Sequence, residues 1–193
     1  NLLYTPWNKL YLADYIRNKK IYFPDTFWDD FPFNLAVIRD VERVCVTSQC
    51  YYHFIRKRIE SETARYRSDM YQKREDEHKW MLDLYHHWNV QDEASQEFLA
   101  RRYIERIVGC VENVTNPDCK LQKAEKKAVI NQMIHSSHAI CAVKIARPKS
   151  IYMKLLLLPI KWGNTEFTFL EGRLISKVKS RNTKLFAKLK ANR

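Results

Sequence analysis

Between Phe33 and Val108 the chain runs for 76 residues without a glycine or a proline. Few folds accept such a run. Strand-to-strand turns draw on glycine, proline and asparagine for their backbone angles, so an all-β chain needs such residues roughly every ten positions. Only Gly109, Gly163 and Gly172 occur in the whole sequence. Loops that cradle phosphates need clustered glycines, so most nucleotide-binding enzymes are excluded as well. Hydrophobic residues make up 46 % and aromatics 13 %, which argues against disorder throughout. The expected fold class is all-α, built mostly from long antiparallel helices.

Periodicity places the helices. Val37, Val41, Val44, Ser48, Tyr51, Ile55 and Ile59 recur at steps of three and four, which predicts one long helix over 33–59. Residues 60–79 are rich in charges of both signs that can pair one turn apart. Apolar character returns at Trp80, Met81, Leu84, Tyr85 and Trp88. A break follows near 89–92, where Asp92 can cap a helix through Phe98, Leu99, Tyr103, Ile104 and Ile107 that Gly109 ends. Asn113–Asp118 reads as a turn, and a helix from Leu121 to Ala146 is closed by Pro148. Glu166–Leu170 alternates weakly, as a short strand does, and Leu174–Leu189 reads as a basic amphipathic helix.

Three regions follow: an extended aromatic arm over 1–32, a helical body over 33–147 and a basic extension over 148–193. The arm carries Trp7, Tyr11, Tyr15, Tyr22, Phe23 and Trp28, more aromatic surface than a solvated linker needs. Within it, Tyr11 and Tyr15 share one face of a short helix over 8–17. No stretch reaches the roughly 18 apolar residues of a membrane-spanning helix. The nearest, Ile151–Ile160, is interrupted by Lys154 and Pro159. The first residue is Asn rather than Met, which leaves room for a processed or trimmed product.

Charge is concentrated at one end. Of the formal net charge of +12, residues 149–193 hold +9, and after Glu171 eight bases occur with no acid. Such a segment calls for a negative partner or for water. Lys177, Lys179, Arg181, Lys184, Lys188 and Lys190 are the candidate partner- or phosphate-binding residues. RNA phosphates, anionic lipid headgroups or an acidic protein surface would each suit them.

Other candidate sites have plain structural readings beside the functional ones. Cys110 and Cys119 flank the predicted turn; they are a disulfide if the helices form a hairpin and the compartment is oxidising, and otherwise two thiols. Asn113-Val-Thr115 matches a glycosylation acceptor. Cys45, Cys50 and His53, with His135, His138 and Cys141, are zinc-capable side chains but lack the paired short spacings of zinc modules. Glu60, Glu62, Glu75, Asp76 and Glu77 lie in mixed charge, as solvated carboxylates do, and the His86-His87 pair points two ways around a helix. The expected protein is therefore not an enzyme and needs no metal, cofactor or small-molecule substrate.

Tyr51-Tyr-His-Phe-Ile-Arg-Lys-Arg-Ile59, Glu77-His-Lys-Trp80 followed by Val90-Gln-Asp-Glu93, and the later pair Cys110 and Cys119 together resemble the PDSW-type accessory subunit of mitochondrial respiratory complex I. The resemblance covers about residues 33–145. Cys45 and Cys50 precede the aromatic–basic segment, whereas the family's earlier pair follows it. The resemblance implies a non-catalytic subunit at the inner mitochondrial membrane, on the intermembrane-space side, with Cys110–Cys119 as a structural bridge. Its partners would be other subunits of the assembly, with anionic lipid beside them. The alternative expectation is a mitochondrial ribosomal subunit whose basic tail contacts RNA.

Overall fold

Asp92 has extended backbone angles, and its Oδ1 accepts a hydrogen bond from the Ser95 N–H at 3.0 Å. That contact satisfies one of the donors a helix start leaves open. From this cap a helix of 22 residues runs from Glu93 to Val114, and the second half of the chain packs around it. A computed structural model describes residues 4–26, 28–49, 52–53 and 65–181 of the chain.

Among the described residues there are eight helices and no strand. They are α1 (Ala13–Asn18), α2 (Asp30–Ile38), α3 (Met70–His87), α4 (Glu93–Val114), α5 (Lys123–Ile134), α6 (Ser137–Ile145), α7 (Ile151–Lys161) and α8 (Thr165–Arg181). The all-α expectation holds, with α3, α4 and α8 as the long members. Two compact units form. One takes the described residues of Asn1–Glu60 with Asp76–Val90, the other those of Ser61–Glu75 with Gln91–Arg193.

In the first unit aromatic rings clothe a short helix. Phe23 stacks on Phe33 with centroids 3.9 Å apart, Tyr4 stacks on Phe31 at 4.6 Å, and Tyr11 meets Phe33 edge-on at 5.5 Å. The Tyr11 hydroxyl donates to Oδ1 of the fully buried Asn34 at 2.6 Å, and the Tyr15 hydroxyl to the Val37 carbonyl at 3.0 Å. The helix expected over 8–17 spans only Ala13–Asn18, so Tyr15 lies on it and Tyr11 precedes it, yet both side chains reach α2. The buried apolar residues of this unit include Phe31, Phe33, Leu35, Val37, Met81 and Leu84.

The predicted helix over 33–59 is corrected. α2 stops at Ile38 and residues 41–49 have no helical structure; Val44 and Val46 stand 72 % and 77 % exposed. Val41, Val44, Val46 and Thr47 are β-branched, so a helix would cost each of them side-chain freedom. Tyr51, Ile55 and Ile59, the end of that stripe, lie outside the described residues. The exit of α2 is held locally: the Trp88 indole N–H donates to the Arg39 carbonyl at 2.8 Å, and His87 Nε2 meets Asp40 Oδ1 at 2.8 Å.

The second unit is an aliphatic core around α4. Tyr103, Ile104, Ile107, Val108, Cys110, Val111 and Val114 line one side of it and meet Ile130, Met133 and Ile134 of α5, Ala139 and Ala142 of α6, Met153, Leu156, Leu157 and Ile160 of α7, and Phe169 and Ile175 of α8. Each following helix has its own start signal. Ser136 and Ser150 cap α6 and α7, Asn164 Oδ1 accepts from Phe167 N at 3.0 Å, and the Gln122–Glu125 capping box opens α5.

Three sequence expectations change here. Gly109 does not end α4; it sits inside the helix, where a Cβ would meet nothing within 4 Å. The helix predicted over 121–146 divides at His135, because the Ser136 hydroxyl caps a new start. Glu166–Leu170 is helical rather than a strand, since Asn164 begins α8 just upstream. Gly172 marks where α8 crosses α4: a Cβ there would lie 2.7 Å from Val111 Cγ1. Gly163 turns the chain between α7 and α8 with φ +62°, a conformation suited to glycine.

Candidate partner-binding face

The most concentrated polar chemistry of the second unit centres on Glu75. Its Oε1 accepts from the Tyr103 hydroxyl at 2.5 Å and its Oε2 meets His138 Nδ1 at 2.8 Å. Ser136 Oγ stands 3.3 Å from the same tyrosine hydroxyl. Burial, then the hydrogen bond to Glu75, pushes the Tyr103 phenol well above its ordinary pKa, so it stays a proton donor to the carboxylate. These contacts tie the start of α3 to α4 and α6. They are what a buried tyrosine and a carboxylate require for satisfaction.

The predicted cysteine pair and the asparagine of the sugar-acceptor pattern are all buried. Cys110 and Cys119 are buried and not bridged, which corrects the expected disulfide. The reason is the length of α4. The helix runs through Gly109 to Val114, so Cys110 faces the core a full turn before the corner, whereas Cys119 lies beyond it, beside the Tyr66 hydroxyl. Asn113 is buried. Its Oδ1 accepts from Arg67 N at 3.0 Å and its Nδ2 donates to Arg67 O at 2.7 Å, so the sugar-acceptor pattern is spent on holding the 65–69 segment.

The zinc-capable residues are dispersed. His135 Nδ1 meets the Asn131 carbonyl at 2.9 Å, His138 belongs to the Glu75 cluster, Cys45, His53 and Cys141 are exposed, and Cys50 lies outside the described residues. Among the described residues no group of three or more His, Cys, Asp or Glu side chains could hold a metal ion. A groove of about 360 Å³ runs past Tyr66, Arg67, Tyr71, Asn113 and Met133. Two of its polar members are committed, Asn113 to the Arg67 backbone and the Arg67 guanidinium to Asp69 at 2.8 Å. That ion pair holds the Asp69 carboxyl below its ordinary pKa.

The feature that stands apart is apolar and lies on the outside. α7 turns Met153, Leu156, Leu157 and Ile160 to the core, while Ile151, Leu155, Leu158 and Trp162 fall on its opposite side. Ile151, Leu155 and Trp162 are 76 %, 56 % and 67 % exposed. α8 repeats the pattern: Phe169, Gly172 and Ile175 face α4, and Phe167, Leu170 and Leu174 face away. The two helices pack together, so their outward stripes belong to one hairpin. Monomeric proteins seldom expose more than a few hundred Å² of contiguous apolar surface, and larger patches mark interaction sites.

Bases flank this face. Lys154 and Lys161 lie along one edge of α7, and Arg173 and Lys177 along one edge of α8, all exposed. Lys177 is thus the one predicted basic-site residue whose surface position is described. Lys179 and Arg181 fall on the last turns of α8, and Lys184, Lys188 and Lys190 lie outside the described residues. Of the two acids, Glu166 pairs with Lys127, and burial alone pushes the half-buried Glu171 carboxyl up to about 7. Charge had marked this end of the chain in the sequence. The apolar stripe of α7–α8 had not stood out, because its helical spacing is the same as that of a core face.

No helix among the described residues is long and apolar enough to cross a membrane. No family model, curated protein or solved structure matches the chain.

Proposed function

We propose that the protein is a non-catalytic structural subunit of a large mitochondrial membrane assembly, with respiratory complex I as the best candidate from the resemblance of Tyr51–Ile59, Glu77–Trp80 and Val90–Glu93. The observation that carries the reading is the outward apolar face of α7–α8, which is a surface in search of a partner. The chemistry of the polar clusters agrees with it. Glu75 and Asn113 each join separate segments of the second unit, and Asp69 pairs with Arg67 within its own segment. Native co-purification of the full chain from mitochondria, with mass spectrometry of what accompanies it, is the test. Recovery with subunits of one oligomeric membrane complex is expected. Recovery as a monodisperse monomer would count against the reading.

A second reading, a ribonucleoprotein subunit, is favoured by one observation: the eight bases without an acid after Glu171, with Lys177 exposed on α8. It requires binding to RNA whose affinity falls steeply with salt, as counterion release dictates.

A further inference from the structure

We propose that the outward face of the α7–α8 hairpin is a docking surface for an anionic lipid bilayer. The inference rests on the reading of this chain as part of a membrane assembly and names what that face meets. Three features lead to it.

The first is shape. Ile151, Leu155, Leu158 and Trp162 recur at steps of 4, 3 and 4, so they form one narrow stripe along α7. Phe167, Leu170 and Leu174 form the matching stripe on α8. Their opposite sides are committed to the core, so each helix of the hairpin presents an outward apolar stripe backed by a folded unit. Neither α7 nor α8 is long and apolar enough to cross a membrane, so a one-sided apolar stripe on either suits the plane of an interface.

The second is charge complementarity. Lys154, Lys161, Arg173 and Lys177 are exposed beside the stripes. Glu166 pairs with Lys127 and burial favours the protonated form of the half-buried Glu171, so bases outweigh acids beside the stripes. The chain that follows α8 adds only bases, Lys184, Lys188, Lys190 and Arg193. An apolar face for the acyl boundary with lysines and arginines at headgroup level is the pattern of interfacial membrane helices. Lysine and arginine stems can lie along apolar surface while their charged ends reach phosphate.

The third is the chemistry of the corner. Trp162 and Phe167 sit on either side of Gly163, both exposed. Aromatic rings are favoured at membrane–water interfaces, where one side of the ring is apolar and the other wet.

The test uses the full chain in co-sedimentation with vesicles of phosphatidylcholine alone and of phosphatidylcholine with about one-third phosphatidylglycerol. Anionic vesicles should bind at least ~10-fold more tightly, and Leu155→Glu with Leu174→Glu should remove at least ~10-fold of that binding. Both leucines are exposed, so helicity should be unchanged. A second readout is independent of that variant: tryptophan emission should shift to the blue on binding, and Trp162→Phe should abolish most of the shift. Absence of sedimentation with anionic vesicles would overturn the proposal. So would binding that is insensitive to both leucine substitutions and lost at about 0.5 M salt, the behaviour of a polycation on any polyanion, RNA included. Co-purification with an assembly but no vesicle binding sinks the lipid surface alone. Vesicle binding without any assembly sinks the subunit reading and leaves the lipid surface standing.

Discussion

The two units bury their residues by different means. The first wraps aromatic rings around a nine-residue helix and adds hydroxyl contacts at its buried polar atoms, as Tyr11 does for Asn34 and Tyr15 for Val37. The second gathers Ile, Val, Leu and Met side chains around a helix of 22 residues. Their exposed apolar residues differ in the same way. Leu10, Leu12 and Tyr22 of the first unit lie on irregular segments or at helix edges, whereas those of α7 and α8 form stripes. Scattered exposure is ordinary for a protein surface, and only the aligned kind points to a partner. Stripes need helices long enough to repeat a face, and the second unit has them.

The largest expected effect tests the aliphatic core. Ile107→Ala removes a fully buried side chain at the centre of α4 and should destabilise the second unit by about 2–5 kcal/mol. Urea unfolding followed by hydrogen exchange would show whether amides of α4–α8 lose protection; unchanged protection there would break the picture of α4 as the centre.

Next comes the pair of helical glycines. Gly172→Ala places a methyl 2.7 Å from Val111 Cγ1 and should cost about 1–3 kcal/mol. Gly109→Ala meets open space in the middle of a helix and should stabilise by about 0.5–1 kcal/mol. Thermal denaturation of both variants reads the difference, and equal shifts would show that α8 does not press on α4 at Gly172.

The corresponding test of the first unit is smaller. Tyr11→Phe keeps the ring against Phe33 but removes the hydroxyl that serves the buried Asn34 Oδ1. A loss of about 1 kcal/mol is expected, confined to exchange of amides in α2 and its neighbours. No change would mean that the rings alone hold this unit.

The last prediction concerns pH. Burial raises Glu171 to about 7, so the folded chain holds a proton there that the unfolded chain releases near the ordinary value of 4.5. Between those values the folded state binds more protons, and stability falls as pH rises. Glu171→Gln should therefore raise the melting temperature at pH 8 and leave it unchanged near pH 4.5. A gain of equal size at both pH values would show that Glu171 is not held protonated by its surroundings.

Much of the fold was legible because it is written in local rules. Asp92 opens α4 as its side-chain chemistry requires, and the scarcity of glycine and proline foretold an all-helical chain. The errors arose where local rules compete with tertiary ones. Gly109 resembles a helix stop, yet packing on both sides of it carries α4 onward to Val114. Val41 and Val44 have helical spacing, yet Val41 is only partly buried and Val44 is exposed, and spacing alone could not reveal that. The candidate face was half legible. Its bases are evident as composition, but whether Leu155 or Leu156 points outward depends on where α4 lies.

Asn113 carries one further consequence. Its carboxamide is closed between the N–H and carbonyl of Arg67. A transferase could add an oligosaccharide there only to a chain still open, and the finished glycan would then block closure of the segment. Sugar occupancy in a cell that routes this protein through its secretory path would record slow folding, much as a time stamp records late arrival.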